Sequence, residues 1–272
     1  MMRSGQRCIV VKIRPSRLPL TFSLVIVLLP PSETKRAGGD GPPLDLGALS
    51  FPELNPVRAQ LVEELAALAT DAPASRRALG ISASQDQEIE RNLALFESPT
   101  MPAINRYTGV LYDALDVGSL SATAVSRARA RLGIGSALFG LLRAGDPIPA
   151  YRLSASSKLP GKGTLAARWR QELEAVLADL ATGELVVDLR SGSYAALGRL
   201  PEAVEVDVVS ESPGGTRTVV SHFNKAHKGR LARALVTSRA EPDSAAKVAA
   251  VARRAGMRVE RNGNELTVVV DG

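Results

Sequence analysis

"LVIVLLPPSETKRAGGDGPPLD", residues 24–45, joins six consecutive apolar side chains to a loop crowded with proline and glycine. An unbroken apolar run of this length suits a strand covered on both faces, the habit of a central parallel strand. The strand, Leu24 to Leu29, stops at Pro30–Pro31 because proline offers no N–H to a ladder. In α/β proteins the loop beyond such a strand is where function gathers. The stretch therefore predicts an α/β fold and places the first functional loop after Leu29.

The rest of the chain extends this reading. Leu61, Leu65 and Leu68 fall at helical spacing behind Asn55-Pro56, which predicts a helix from Asn55 to Ala67. Helices over 85–97 and 121–131 follow, with "NRYTGVLYDAL" (105–115) between them as a short strand or turn. "LGIGSALFGLLRAGDPIPAYRL" (132–153) reads as tight, glycine-rich backbone, and its G-I-G triplet matches the phosphate clamp of a helix-hairpin-helix. Thr164 caps a helix carrying Leu165, Trp169, Leu173 and Leu180 on one face. "ELVVDLRS" (184–191) is a buried strand, and "AVEVDVVSE" (203–211) and "TRTVVSHF" (216–223) are two more around an S-P-G-G turn. A helix over 243–255 and a hairpin turning at Asn262-Gly263 end the chain. The expected architecture is a single compact α/β domain over 23–272, a mixed β-sheet flanked by helices.

Charge is distributed less evenly than the formal +6 suggests. Five of the 34 basic residues (Arg3, Arg7, Lys12, Arg14, Arg17) lie in the first 22 positions without an acid, leaving 29 bases against 28 acids. The body is nearly neutral, so a basic surface must come from local clustering. The basic start and "LPLTFSLVIVLL" imitate a secretory signal, but no A-x-A site follows, and the apolar run falls short of the roughly 20 residues of a bilayer span. Residues 1–22 are read as a disordered basic extension or a start assigned too far upstream, the protein as cytoplasmic, without a membrane partner. The one cysteine, Cys8, lies in this leader, which excludes a disulfide, a thiolate nucleophile and a cysteine metal cage from the body. His222 and His227 supply two metal ligands where zinc needs three or four, so no metal and no cofactor are expected.

"SHFNKAHKGRLARALV" (221–236) makes an amphipathic helix: Lys225, Lys228, Arg230 and Arg233 share one arc, and Phe223, His227, Leu231, Ala234 and Leu235 the other. Ala226, Gly229 and Ala232 lie between the cations and would let a polyanion approach the backbone, a use that explains a glycine costing about 1 kcal/mol relative to alanine. The alternative is an ordinary solvated Lys/Arg face. His227 points into the apolar arc and is expected as a buried, hydrogen-bonded core residue.

Two further clusters stand out. Arg143, Asp146, Tyr151, Arg152, Ser156 and Lys158 crowd a proline-punctuated loop, where arginine forks suit phosphate oxygens or else brace the loop against Asp146. "DLRSGSY" (188–194) places Asp188, Ser191, Ser193 and Tyr194 after a strand, without the glycine flanks of a nucleophile elbow. "LPGKGTL" (159–165) lacks P-loop spacing and is read as a turn.

Taken in order, "LLPPSETK", "NRYTGVLYDALD", "LFGLLRAGDPIPAYRL", "LVVDLRSGSY" and "SHFNKAHKGRLARALV" resemble the peroxide stress protein YaaA family over about Leu24 to Val236. The family's first loop more often reads S-P-A-K-T, which places Lys35 approximately, and its K-A-R-G has Lys228 at the arginine. The basic leader has no counterpart. The resemblance implies a compact α/β fold, a cytosolic location, a role in resisting hydrogen peroxide and DNA binding through a positively lined cleft. It brings no settled enzymatic activity.

Two functions follow as expectations. The first is a non-enzymatic DNA-binding stress protein whose cleft is lined by Lys225, Lys228 and Arg230, with Arg143, Arg152 and Lys158 opposite and Lys35 at the rim. The second is an enzyme acting on a nucleotide-like small molecule, with Asp146 or Asp188 as acid or base and Tyr112, Tyr151 or Tyr194 stacking on a base. Both need the 143–158 loop and the 225–230 helix to face one recess.

Overall fold

The computed structural model describes residues 25–161, 163–219 and 221–271. Expectations for the leader, its cysteine included, and for Leu24 therefore lie outside the described residues. The first strand, β1 (Val25–Leu29), is buried along its whole length. Each such aliphatic side chain contributes about 1.5–3 kcal/mol on burial. Helices α1 (Asn55–Leu68), α2 (Ala72–Leu79) and α3 (Gln87–Leu93) follow. A two-residue strand β2 (Met101–Pro102), α4 (Ala103–Arg106), α5 (Val110–Leu115) and α6 (Ala122–Arg131) lead to the hairpin β3 (Leu132–Ser136) and β4 (Gly140–Arg143).

β5 (Pro147–Ile148) pairs with β2, and α7 (Leu165–Gly183) starts at Thr164, whose side chain accepts from Ala167 N–H. β6 (Leu185–Asp188), α8 (Gly192–Ala195), β7 (Val204–Glu211), β8 (Arg217–Val219), α9 (Ser221–Thr237), α10 (Ala245–Arg254), β9 (Arg258–Asn262) and β10 (Glu265–Asp271) complete the chain.

Among the described residues, eight strands form one sheet in the order β4-β3-β1-β6-β7-β10-β9, with β8 beside β7. β1 runs parallel to β3 and β6, and β7 runs parallel to β6 and β10. Hairpin partners β4, β8 and β9 add antiparallel pairings, so the sheet is mixed. From β1 the chain next joins the sheet at β3 on one side, whereas β6, on the other side of β1, leads on to β7. That reversal opens a crevice between the carboxyl ends of β1 and β6, the place where open α/β sheets hold ligands.

Three segments differ from the sequence expectation. "GVLYDAL" is the helix α5 rather than a strand or turn, begun by Gly109 at φ 95°. "TRTVVSHF" is a three-residue strand, and its last three residues already belong to α9. The G-I-G triplet lies in β3, not in a helix-hairpin-helix. A Cβ on Gly135 would come within 3.3 Å of the Arg190 side chain, so this glycine makes room for an arginine stem rather than for a phosphate. Trp169 of α7 closes the hairpin by donating from Nε1 to Ala137 O at 2.9 Å. Among the described residues no helix is long and apolar enough to cross a membrane.

Candidate functional site

A cavity of about 770 Å³ occupies the crevice at the carboxyl ends of β1 and β6. The loop from Pro30 to Thr34 forms one wall, and the turn from Leu189 to Tyr194 forms another. The start of α5, Ser154–Ser156, Asp207 of β7 and Asn224, Lys225 and Lys228 of α9 close the remainder.

The first wall is held from behind. Lys35 is buried and donates from Nζ to Ser32 O at 3.1 Å and Glu33 O at 3.2 Å. The same ammonium lies over the Tyr151 ring, 4.3 Å from its centroid, and 5.5 Å from that of Tyr107. Burial first, and the Arg152 charge second, pull its pKa down to about 7. Lys35 thus stands inside the wall and not at the rim.

Arg106, fully buried, holds the next residues with one fork: Nη1 donates to Arg36 O and Gly38 O, Nη2 to Pro99 O and Ile148 O, and Nε to Ile148 O. Burial lowers its pKa to about 10, which leaves it charged at neutral pH. Thr108 N–H, donating to Ser32 Oγ at 3.0 Å, ties the wall to the segment before α5.

The three candidate stacking tyrosines have different fates. Tyr151 is buried in the core with its hydroxyl between Tyr107 Oη (2.8 Å) and Ser136 Oγ (2.7 Å). Tyr112 is buried and donates to Pro30 O at 2.8 Å, although it is among the residues that line the cavity. Only Tyr194 of the three is half-buried on the cavity wall, its hydroxyl pushed up to about 12 chiefly by burial.

The cations separate in the same way. Lys225 is exposed at the cavity mouth, and Lys228 reaches in, donating to Leu189 O at 3.2 Å. Burial lowers the Lys228 pKa against the opposing pull of Asp207, Asp188 and Glu205. Arg152 pairs with Glu33 at 3.0 Å. Arg143 donates to Ala130 O at 3.0 Å, pairs with Glu184 at 3.7 Å, lies over the Phe51 ring, and is not on the cavity wall. Lys158 is exposed and also off the wall. Arg230, expected beside the two lysines, faces a separate hollow with His227, which is half-exposed there rather than buried in the core. The 143–158 loop therefore meets the α9 cleft only through Ser154, Ala155 and Ser156.

Neither candidate carboxylate is free. Asp146 is buried, accepting from Ser50 N–H, Ser50 Oγ and Arg143 N–H, away from the cavity. Asp188 is clasped by Arg190, with Nε to Oδ1 at 2.9 Å and Nη2 to Oδ2 at 2.7 Å. The carboxylate residues that do border the cavity are Glu33, paired with Arg152, and Asp207 of β7, neither of which the sequence reading singled out.

The small-residue stripe of α9 is also reassigned. A Cβ on Gly229 would fall 2.2 Å from Leu111 O and 2.9 Å from the Ala114 Cβ, and Ala232 is wholly buried. The glycine lets α9 press onto α5; a polyanion has no access there. Among the described residues no three His, Cys, Asp or Glu side chains converge as a metal would require.

The class so defined is an α/β protein with a lysine-lined, hydroxyl-rich cleft at the switch point of a mixed sheet. Residues 25–261 match the peroxide stress protein YaaA family, and the chain belongs to that family. A UPF0246 protein of Corynebacterium efficiens is 51% identical over 253 residues, covering 90% of this chain and 100% of that protein. A UPF0246 protein of Streptomyces coelicolor is 44% identical over 241 residues, covering 87% and 92%. An uncharacterized protein of Campylobacter jejuni is 27% identical over 206 residues, covering 75% and 82%.

Proposed function

We propose that this protein serves the peroxide stress response by binding DNA in the cytoplasm through phosphate contacts at the switch-point cleft. One observation carries the reading: Lys225 and Lys228, about one helical turn apart on α9, meet the cleft with no ion pair to either among the described residues. Thr34, Ser154, Ser156, Ser191 and Ser193 surround them with hydroxyls that can donate to phosphate oxygens. Sequence-independent binding of this kind weakens steeply with salt.

A second reading, a nucleotide-like small ligand in the same cleft, is favoured by size and by lost charge. The volume of about 770 Å³ falls in the roughly 300–1,000 Å³ of small-molecule sites. Arg143 and Arg152, expected to extend the basic surface, are neutralised by Glu184 and Glu33. Calorimetric titration with a short duplex, the matching single strand and mononucleotides separates the two. Duplex affinity that falls with salt supports DNA binding; tight mononucleotide binding without duplex binding replaces it with the second reading.

A further inference from the structure

The hollow that takes Arg230 is a second site of different chemistry. It measures about 450 Å³ and lies between α9, the turn after α10 and β10. His227, Arg230, Arg233 and Arg258 border it, and among the described residues no acidic side chain does. Arg233 is already engaged with Leu115 O, Asp116 O and Ser119 Oγ, and Arg258 pairs with Glu211 at its far end. Arg230 is exposed and has no partner among the described residues, with His227 one turn before it. Burial first, and the Arg230 charge second, lower the His227 pKa, which favours its neutral form beside the arginine. The floor is apolar, with Ala234 and Val268 buried and Met257 half-buried.

A cationic border over an apolar floor complements an anion that carries a hydrophobic body. Arginine prefers planar, forked recognition of carboxylate or phosphate oxygens. The apolar floor favours an alkyl or aryl group in place of a bare ion. We propose that this hollow binds a small amphiphilic anion, a carboxylate or phosphate monoester with an apolar body, its head on Arg230 and its body over Ala234, Met257 and Val268. The site is separate from the DNA cleft and does not depend on it, because Lys225 and Lys228 leave α9 on a different side.

The test is a calorimetric titration of the full chain with octyl phosphate, alongside inorganic phosphate and octanol. Octyl phosphate is expected to bind, and each half of the molecule alone to bind at least about tenfold more weakly. Arg230→Gln, at an exposed position, should cut octyl phosphate affinity about tenfold, the worth of one charge-assisted hydrogen bond. The Lys225→Ala/Lys228→Ala double variant should leave it unchanged. Absence of octyl phosphate binding to the native protein, or equal binding to native and Arg230→Gln protein, overturns the proposal. Loss of binding in the double lysine variant does the same, since it places the ligand in the cleft; DNA affinity measured on the same variants keeps the two sites distinguishable.

Discussion

The 143–158 loop and helix α9 are both cationic in the sequence, and the fold treats their charges in opposite ways. On the loop, Arg143 is matched by Glu184 and Arg152 by Glu33. On α9, Lys225, Lys228 and Arg230 keep their charge open to a ligand, two toward the cleft and one toward the hollow behind it. The difference lies in what surrounds each cation. The loop passes through the interior, where an unmatched charge is too costly, while α9 has one side on solvent. Deeper still, Arg58, Arg106 and Arg131 aim their forks at backbone carbonyls. The arginines of this chain are divided between scaffold and surface, and each set can be tested separately.

The largest effect is expected at Arg106. Arg106→Met leaves the carbonyls of Arg36, Gly38, Pro99 and Ile148 without their donor. Ile148 O is buried and the other three carbonyls lie on exposed residues. The loss is therefore that of charge-assisted hydrogen bonds worth about 1.5–3 kcal/mol each, and urea unfolding should show a loss on the order of 4 kcal/mol. Arg230→Gln, by contrast, should stay within about 0.5 kcal/mol of the native protein. Equal losses at the two positions would erase the distinction between scaffold and surface.

Lys35 comes next and gives a pH signature. Its folded pKa of about 7 lies below the ordinary 10.5, so the unfolded chain holds more protons between those values. Stability should therefore rise with pH across that window, by about 3 kcal/mol from pH 7 to pH 10 for this group alone. Lys35→Met should flatten the rise measured by urea titration at several pH values. A native curve identical to that of the variant would mean that the ammonium is not held in the wall.

Gly229 sharpens the comparison by sign. Were α9 bare there for a polyanion, Gly229→Ala would stabilise the helix by up to about 1 kcal/mol. With Leu111 O only 2.2 Å from the added carbon, the substitution is instead expected to destabilise by about 1–3 kcal/mol, read as a lower urea midpoint.

Much of the frame could be read from periodicity alone. The continuous apolar run of β1, the leucine spacing of α1, the Thr164 cap of α7 and the C-terminal hairpin are local signals that the structure bears out. The turn itself is Gly263-Asn264, one residue later than expected, with Asn262 paired to Glu265 in the ladder. The loop after β1, expected to carry function, lines the cavity from Pro30 to Thr34, with Lys35 behind it and not at the rim. What could not be read depends on contacts distant in sequence. The glycines of 132–143 look like loop until Leu28, Leu141 and Arg190 are seen to fill the space beside them. Arg152 looks free until Glu33, on another loop, is placed against it. The hydrophobic arc of α9 correctly buried Leu231 and Leu235, but placed His227 inside when it faces the second hollow.

The central claim is that the cations that meet phosphate are the lysines of α9 and not the arginines of the 143–158 loop. Fluorescence anisotropy of a labelled duplex, titrated over a range of salt with Lys225→Ala/Lys228→Ala and Arg143→Ala/Arg152→Ala proteins, tests it directly. The lysine variant is expected to lose affinity and its salt slope to fall by about two, while the arginine variant keeps the native slope. A native slope in the lysine variant, with the loss in the arginine variant instead, would contradict it.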